Sequence, residues 1–497
     1  LNVELQEING HIESKFYLIN KQSTEKFSPK PQKKDKILAC AFFLSSLTIF
    51  NINSAFAQPI VPANDGTNTI VNPQGNRFDI TGGQRSSDGA NLFHTFTRFG
   101  LDSQQIANFL SQPNIRNILA RVNGGEISYI NGLIQITGGN SNLFLMNPSG
   151  VVFGSNAGLN VPAAFTATTA NGIGFGNSWF NATGNNNYAA LVGDPNAFAF
   201  TMQQPGAIIN SGNLAVGLGQ DLNLLAGTVI NTGTLTAPQG NITVAGVPGT
   251  SLVRLSQPGF LLSLEIQPIG NSVTQPNSFD LPIASLPQML TGGNGSNATG
   301  VSVNKDGSVE LTGSGIRIPT EGNTAIVAGK IDVSGEKGGN LNILADKIGV
   351  TSANINASGT KDGGNVRIGG DYKGQGNLLK ASRVLISNDS TIKVDSSSAG
   401  NGGKVIIWSD KATAFYGNIS AKGGNNSGDG GFVEVSSADV LIFKGNVDAS
   451  APNGKTGTLL LDPSSLNIID ILTGPSGSQD NNLTTDNQIL SGDPDQL

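Results

Sequence analysis

Short apolar runs alternate with Gly, Asn, Ser and Thr along most of this chain. The alternation becomes regular late in the sequence, where an Ile-centred triplet leads through a polar loop to two adjacent glycines and another apolar run. Four such repeats begin at Ile331, Ile355, Ile392 and Ile419, which are 24, 37 and 27 residues apart. The apolar runs predict β-strands, and their repetition predicts a solenoid in which each repeat forms one coil.

An earlier series of repeats favours the same architecture. Residues 209–214 recur as residues 230–235, and residues 223–227 are echoed by residues 242–246. The longest interval of the later series contains residues 371–388, which we interpret as an added coil or a loop on one face.

The fold class predicted from these patterns is all-β, as a right-handed parallel β-helix with extra-helical hairpins and loops. Coils of a β-helix stack about 4.8 Å apart, so each coil buries its inward side chains against its neighbours while small residues occupy the turns. With 66 Gly and 6% aromatic residues, the chain has few large side chains to fill a thick globular core. A series of β-sandwiches is the competing architecture.

Prolines interrupt the repeats in the middle of the chain. Residues 251–290 contain Pro258, Pro268, Pro276, Pro282 and Pro287. Because proline cannot donate to a central ladder, regular coils are not expected there. We place a domain boundary at about residue 300, between a domain of residues 58–300 and Gly-pair repeats in residues 301–497.

The first 57 residues have the pattern of a signal peptide preceded by a long polar segment. Lysines lead into the apolar run of residues 37–50, and Ala55 and Ala57 follow as the small residues of a cleavage site. The run is too short to span a bilayer, which disfavours a membrane anchor. We expect cleavage after Ala57 and export. Cys40, the only cysteine, lies in the apolar run, so no disulfide is expected in the exported chain.

Charge and the few reactive side chains narrow the function. The chain has 29 Lys and Arg against 35 Asp and Glu, a net charge of −6, which gives no basic footprint for nucleic acid. His94 is the only histidine beyond the signal peptide. One His and no Cys disfavour His/Cys zinc sites, thiol nucleophiles and Ser-His-Asp catalysis. We predict no cofactor and no metal.

Carboxylates leave a polysaccharide-active β-helix enzyme as the main alternative. Asp362, Asp395 and Asp429 lie in the turn-rich loops of successive repeats. Aspartate is common in turns because its side chain bonds the local backbone, so these positions do not by themselves indicate catalysis. Residues 423–431 are similar to one calcium-binding Gly-Asp nonapeptide, but a single copy favours a solvated loop. We predict that the chain is not an enzyme.

Four segments carry a resemblance to a known family. They are residues 91–96 (NLFHTF), 112–115 (QPNI), 130–134 (INGLI) and 142–154 (NLFLMNPSGVVFG). Through these segments the chain resembles the N-terminal secretion domain of two-partner secretion exoproteins, the filamentous haemagglutinin family. The last segment is the most specific, because it holds the family's Asn-Pro-x-Gly-Ile/Val motif between apolar strands. The resemblance covers about residues 58–300.

Two short motifs in these segments are candidate site residues. The first comprises Gln112, Pro113 and Asn114, and the second comprises Asn147, Pro148, Ser149 and Gly150. Gln112 and Ser149 stand where many members of the family have Asn. From the residues alone, positions 147–150 predict a type I turn, in which Asn accepts at the first position, Pro presets φ and Gly closes the turn. Residues 72–75 have the same pattern.

The resemblance implies a partner and a location. It implies that the two motifs are recognised by an outer-membrane β-barrel transporter with periplasmic recognition domains. It also implies a protein secreted to, or held at, the surface of a Gram-negative-type bacterium. Residues 301–497 would there form an adhesin shaft or surface fibre that contacts host or environmental glycans or proteins. The stalk of a toxin-delivery protein is a third alternative, because members of the family can carry a C-terminal effector.

Overall fold

A computed structural model describes most of the chain beyond the predicted signal peptide. It describes residues 60–257, 260–269, 281–291, 301–304, 308–311, 317–318, 322–462 and 488–490. The predicted signal peptide, with Cys40 and the cleavage residues Ala55 and Ala57, lies outside the described residues. None of the helices within these ranges is long and apolar enough to cross a membrane.

The chain winds through three long sheets, which we call sheets A, C and B in the order in which one coil visits them. One coil, for example, runs through Asn142–Met146 in sheet A, Val151–Phe153 in sheet C and Gly158–Asn160 in sheet B. The next strand, Phe165–Thr168, returns to sheet A and pairs in parallel with Asn142–Met146. Parallel stacking of successive coils confirms the predicted β-helix.

The strands of the three sheets are short and similar in length. Sheet A contains Val61–Pro62, Gln84–Arg85, Asn91–Arg98, Asn117–Val122, Asn142–Met146, Phe165–Thr168, Asp221–Ala226, Asn241–Gly246, Asn340–Leu344, Asn365–Ile368, Lys404–Ile407, Phe432–Val435, Thr458–Leu460 and Gln488–Leu490. Sheet B contains Thr69–Gln74, Arg77–Gly82, Ile106–Leu110, Leu133–Thr137, Gly158–Asn160, Asn213–Ala215, Thr234–Thr236, Lys330–Asp332, Asn354–Asn356, Thr391–Lys393, Asn418–Ser420 and Asn446–Asp448. Sheet C contains Ser128–Ile130, Val151–Phe153, Ala207–Asn210, Thr228–Asn231, Thr324–Val327, Lys347–Val350, Arg383–Ile386, Ala412–Phe415 and Val440–Phe443.

The isoleucines that begin the late repeats form one ladder in sheet B. Ile331 pairs with Ile355, Ile355 with Ile392 and Ile392 with Ile419. All four are buried in the interior of the coil. In the earlier series, Ile209 pairs with Ile230 in sheet C. The predicted repeats are therefore successive coils in register.

Two details of the predicted repeats differ in the structure. Asn223 pairs with Thr243 rather than with residue 242, so the predicted echo is one residue out of register. A slip of one residue would turn the inward Leu side chains outward, which the buried interior does not allow. Residues 371–388 contain no added coil, because Ile355 and Ile392 on either side of them are direct neighbours.

The turn predicted at residues 72–75 is wrong. Residues 72–74 belong to Thr69–Gln74, which forms a hairpin with Arg77–Gly82. The chain reverses one residue later, at Gly75, whose positive φ of 62° suits a tight hairpin turn. Pro73 is tolerated in the strand because this strand lies at the edge of sheet B.

The interior of the coil is built by alternation along each strand. In Asn142–Met146, Leu143 and Leu145 point into the coil. Phe144 and Met146 point outward, into a separate apolar cluster. Because side chains alternate between the two faces of a strand, a strand that is buried along its whole length must be covered on its outer face as well.

Excursions from the coil supply that cover. An antiparallel sheet, which we call sheet D, contains Gly172–Phe175, Ser178–Asn181, Ala197–Phe200, Ser251–Gln257 and Phe260–Pro268. The remaining elements are the α-helix Leu286–Thr291, the 3-10 turns Tyr188–Ala190 and Tyr372–Gly374, the three-stranded sheet of Val301–Val303, Val309–Leu311 and Arg317–Ile318, and the pair Gly335–Lys337 and Gly359–Asp362. Sheet D packs on the outer face of sheet A, and the α-helix packs on sheet C.

The Pro-rich interruption is one of these excursions. Asn241–Gly246 pairs in parallel with Asn340–Leu344, so sheet A continues directly from one side of the interruption to the other. The coil resumes with Thr324–Val327 in sheet C. The interruption is thus confirmed as an insertion between adjacent coils, while a functional boundary near residue 300 stays a prediction.

The last coils repeat at one constant spacing. Lys404 pairs with Phe432, Ala412 with Val440 and Asn418 with Asn446, each pair being 28 residues apart. All three faces of the coil therefore advance by the same number of residues at this point of the shaft.

Candidate functional site: two turns of the N-terminal coils

The turn at residues 147–150 joins sheet A to sheet C. The Gly150 N–H donates to the Asn147 carbonyl at 3.1 Å, and the Ser149 N–H donates to Asn147 Oδ1 at 3.0 Å. These bonds confirm the turn that the sequence predicts. Gly150 has a φ of +126°, which a residue with a side chain rarely adopts.

The Asn147 side chain lies inside the folded protein. It is fully buried, and its Nδ2 donates to the Glu126 carbonyl at 3.0 Å and to Ser128 Oγ at 2.9 Å. Together with the bond from the Ser149 N–H, these contacts engage both ends of the amide. In the folded chain, Asn147 therefore ties the turn to the previous coil.

A segment from the Pro-rich excursion covers this turn. We call residues 281–291 the strap. Ser149 Oγ donates to the Pro282 carbonyl at 2.9 Å, and the Ala284 N–H donates to the Ser149 carbonyl at 3.1 Å. A Cβ on Gly150 would lie 2.8 Å from Cε of Met289. Side chains at 148 and 150 would thus meet protein rather than solvent, and the strap seals the second motif.

The first motif lies on the surface. Gln112, Pro113 and Asn114 are exposed, and the Ile115 N–H closes their turn by donating to the Gln112 carbonyl at 3.0 Å. Gln112 Oε1 accepts from Nη2 of Arg85 at 2.9 Å. This turn joins sheet B to sheet A, whereas the second motif joins sheet A to sheet C. The structure therefore places the two motifs at different corners of the coil, one exposed and one covered.

A buried arginine that the sequence analysis did not single out lies between sheet A and its cover. Arg121 is 1% exposed, and its Nη2 lies 2.8 Å from Oδ2 of Asp65. Its Nε donates to Thr95 Oγ1 at 3.0 Å, and its Nη1 donates to the Asn181 carbonyl at 2.6 Å. The guanidinium also lies 5.6 Å from the ring centre of Phe180. One side chain thus joins the start of the chain, sheet A and sheet D.

The carboxylate of Asp65 is held in its charged form. Burial acts to raise its pKa, but hydrogen bonds from Thr67 and Arg121 outweigh that effect, so the pKa lies below its ordinary value. The signal for this pair was present in the sequence, because Arg121 stands in the otherwise apolar run of residues 118–122. A charged residue inside a buried strand needs a partner.

His94 is buried in the interior of the first coils. Its ring stands 5.8 Å from Phe109 and 6.3 Å from Phe96, measured between ring centres. Nδ1 lies 3.4 Å from Thr69 Oγ1, and burial lowers the pKa of the imidazole from 6.5 to about 3. The histidine is therefore neutral at ordinary pH and serves as part of the core.

The three aspartates weighed as catalytic candidates each bond to a neighbouring coil. Oδ1 of Asp362 accepts from the Asn401 N–H at 3.2 Å, and Oδ1 of Asp429 accepts from the Lys455 N–H at 2.8 Å. Oδ1 of Asp395 accepts from the Lys422 N–H at 2.8 Å. Each carboxylate thus satisfies the backbone of a neighbouring turn, which is the structural role expected of turn aspartates.

Glu434 is the carboxylate whose pKa is most clearly raised. Burial raises the pKa to about 6, and a hydrogen bond from the Lys373 N–H partly opposes this shift. That N–H lies 3.0 Å from Oε1, which ties the 3-10 turn Tyr372–Gly374 to sheet A. Within the described ranges, no group of three or more His, Cys, Asp or Glu side chains could hold a metal ion.

Residues 57–275 match the family model of the TPS secretion domain. This part of the chain is a TPS secretion domain. The match confirms the resemblance seen in the motif segments, and it makes the chain a two-partner secretion exoprotein. Both candidate turns, Arg121 and His94 lie within the TPS domain, whereas the three aspartates and Glu434 lie outside it.

Two solved secretion domains align with the chain. The HMW1 secretion domain from Haemophilus influenzae is 25% identical, with a TM-score of 0.43 over 82% of this chain and 100% of that chain. The filamentous hemagglutinin secretion domain is 14% identical, with a TM-score of 0.38 over 80% of this chain and 100% of that chain. The chain has no match among curated proteins.

Proposed function

We propose that residues 58–300 direct export of this chain through an outer-membrane β-barrel transporter with periplasmic recognition domains. The coils from residue 301 onward then act as an adhesive or structural shaft at the cell surface, and the chain is not an enzyme. The observation that carries the proposal is the match of residues 57–275 to the TPS secretion domain. The engagement of Asp362, Asp395 and Asp429 with neighbouring turns supports a structural role for the later coils.

Export is expected to require the transporter. Cells that make this chain together with a barrel transporter encoded beside it should release protein whose N-terminus is Gln58. Cells that lack the transporter should retain the processed chain in the periplasm. The measurement is secreted yield with N-terminal sequencing, and release that is equal with and without the transporter would refute the proposal. Loss of adhesion or aggregation in a deletion strain would separate an adhesin from an inert fibre.

The burial of the second motif bears on how a transporter could read it. The Asn147 amide is engaged inside the folded TPS domain, so recognition through this side chain requires contact before the strap docks. The exposed turn at residues 112–114 remains accessible after folding. We therefore assign the second motif to recognition of the chain before it folds and the first motif to either stage.

A pair of matched asparagine variants separates recognition from stability. Asn210 is fully buried like Asn147, its Oδ1 accepts from the Gly212 N–H at 3.0 Å, and its Nδ2 donates to Asn231 at 2.7 Å. Replacing either asparagine by alanine leaves buried partners unsatisfied and should lower the free energy of unfolding by about 1–3 kcal/mol. Export should fall sharply only in Asn147→Ala. Secreted yield and melting temperature are measured for both.

The two readouts together decide the role of Asn147. Equal losses of export in Asn147→Ala and Asn210→Ala would show that the motif serves folding alone. Normal export of Asn147→Ala would exclude recognition through this amide. The structure also revises the expected cost of Asn147→Ser, because serine cannot reach Glu126 and Ser128 as the longer amide does.

A further inference from the structure

A groove runs along the outer face of sheet C in the later coils. It has a volume of about 490 Å³ and follows five adjacent strands, from Thr324–Val327 to Val440–Phe443. Because neighbouring strands lie about 4.8 Å apart, the groove extends roughly 20 Å along the axis of the coil. It lies outside the TPS domain, so it is separate from the turns discussed above.

The floor of the groove is apolar. Register partners on the five strands line it in one row, namely Ile326, Gly349, Leu385, Ala414 and Ile442. At the far end, Val440 and Ile442 are 48% and 40% exposed. The only hydroxyl groups among the lining residues belong to Thr324 and Thr413, and both side chains are buried. The floor therefore offers apolar contact and few groups for sugar hydroxyls.

The rim of the groove is basic. Arg317, Lys347 and Arg383 line it, and the last two are direct neighbours in sheet C. No Asp or Glu occurs among the residues described as lining the groove. The chain as a whole has a net charge of −6, so a surface with three cations and no carboxylate differs from the average surface of this protein. The charge favours an acidic occupant.

The same face of sheet C already holds peptide segments further up the coil. There the strap packs Leu286, Met289 and Leu290 onto an outer row that includes Val152 and Ile209. Val309 and Ile318 join the same apolar cluster. The groove begins where this intramolecular cover ends, because Ile326 contacts the cluster and also lines the groove. The groove thus continues an interface that binds apolar side chains of a polypeptide.

We infer that this groove is a docking site for an extended peptide segment of a partner protein, in which Asp or Glu side chains accompany apolar ones. The apolar side chains would rest on the row from Gly349 to Ile442, and the carboxylates would pair with Arg383 and its basic neighbours. The inference is independent of transporter recognition, because none of the residues concerned lies in the TPS domain.

The test uses the exported chain and a displayed library of random dodecapeptides. Peptides selected on the exported chain should be enriched in Asp and Glu together with Leu, Ile, Val or Phe. The dissociation constant of the selected peptides should rise at least tenfold in Arg383→Glu and in Ile442→Asp. Lys393→Glu makes the same charge change on the exposed face of sheet B and should leave binding within about twofold.

Controls and contrary outcomes are specific. Arg383 and Ile442 have exposed side chains, so the variants should keep the parent melting temperature. A library that yields no enriched peptides, or peptides insensitive to both substitutions, would overturn the inference. Binding of a heparin oligosaccharide that needs Arg383 but survives Ile442→Asp would identify an anionic glycan site instead. Concentration-dependent self-association lost in Ile442→Asp would identify a contact between copies of this chain.

Discussion

Replacing Arg121 by alanine is expected to lower the free energy of unfolding by about 3–5 kcal/mol, because the change leaves the Asp65 carboxylate without its buried partner. The side chain is 1% exposed and also bonds Thr95 and the Asn181 carbonyl. A small domain has a total stability of roughly 5–15 kcal/mol, so this loss is a large fraction of it. Arg121→Lys should fall between the parent and Arg121→Ala, since lysine keeps the charge but not the fork of donors.

The measurement is urea unfolding followed by the fluorescence of Trp179. Trp179 lies in Ser178–Asn181, the strand whose last residue accepts from Arg121. In a Trp408→Phe background it is the only indole. Arg98→Ala provides the matched control, because Arg98 pairs with Glu126 at 3.1 Å and both side chains are more than a third exposed. That pair should contribute less than about 1 kcal/mol. Similar losses in both variants would show that the buried network adds nothing special.

Acid is expected to destabilise the TPS domain through His94. The folded pKa is about 3, whereas an unfolded histidine has a pKa near 6.5. Between these values the unfolded chain binds a proton that the folded chain does not, so stability is lost as the pH falls from about 6.5 to about 3. The loss approaches 1.4 kcal/mol per pH unit, or about 2.5 kcal/mol between pH 7 and pH 4.5.

Variants of His94 isolate this contribution from that of the carboxylates. The free energy of unfolding is measured at pH 7 and pH 4.5 for the parent, His94→Phe and His94→Gln. Both variants should lose about 2.5 kcal/mol of the pH-dependent difference, whatever their stability at pH 7, because neither side chain titrates. His94→Phe adds a ring beside Phe96 and Phe109, and His94→Gln keeps a polar group. A parent and variants with the same pH dependence would contradict the assignment.

Repetition made much of the coil predictable. The Ile ladder of sheet B follows from a pattern in which each repeat places the same residue type at the same inward position. Register errors arose where neighbouring residues were similar, as at Leu224 and Leu225, because either could be taken as the inward one. The pairing of Leu224 with Val244 is decided by the interior, which accepts only one of the two alternations.

Contacts between distant segments could not be read from the sequence. Ser149 and Pro282 are 133 residues apart, and the turn pattern of residues 147–150 says nothing about what covers it. The sequence predicts the turn itself because that depends on four adjacent residues. Arg121 is an intermediate case, since its apolar surroundings predict burial but its partner Asp65 lies 56 residues away. Local chemistry was therefore recovered, and its accessibility was not.

The constant spacing of the last coils gives the shaft a natural unit of length. Since Lys404, Ala412 and Asn418 are each stacked on the residue 28 positions later, excising 28 consecutive residues that start at any of these positions would join strands already matched in register. Duplicating the same stretch would add one coil and lengthen the protein by about 4.8 Å. Evolution and engineering can therefore change the reach of this exoprotein in whole steps, while intermediate insertions would have to leave the coil as loops.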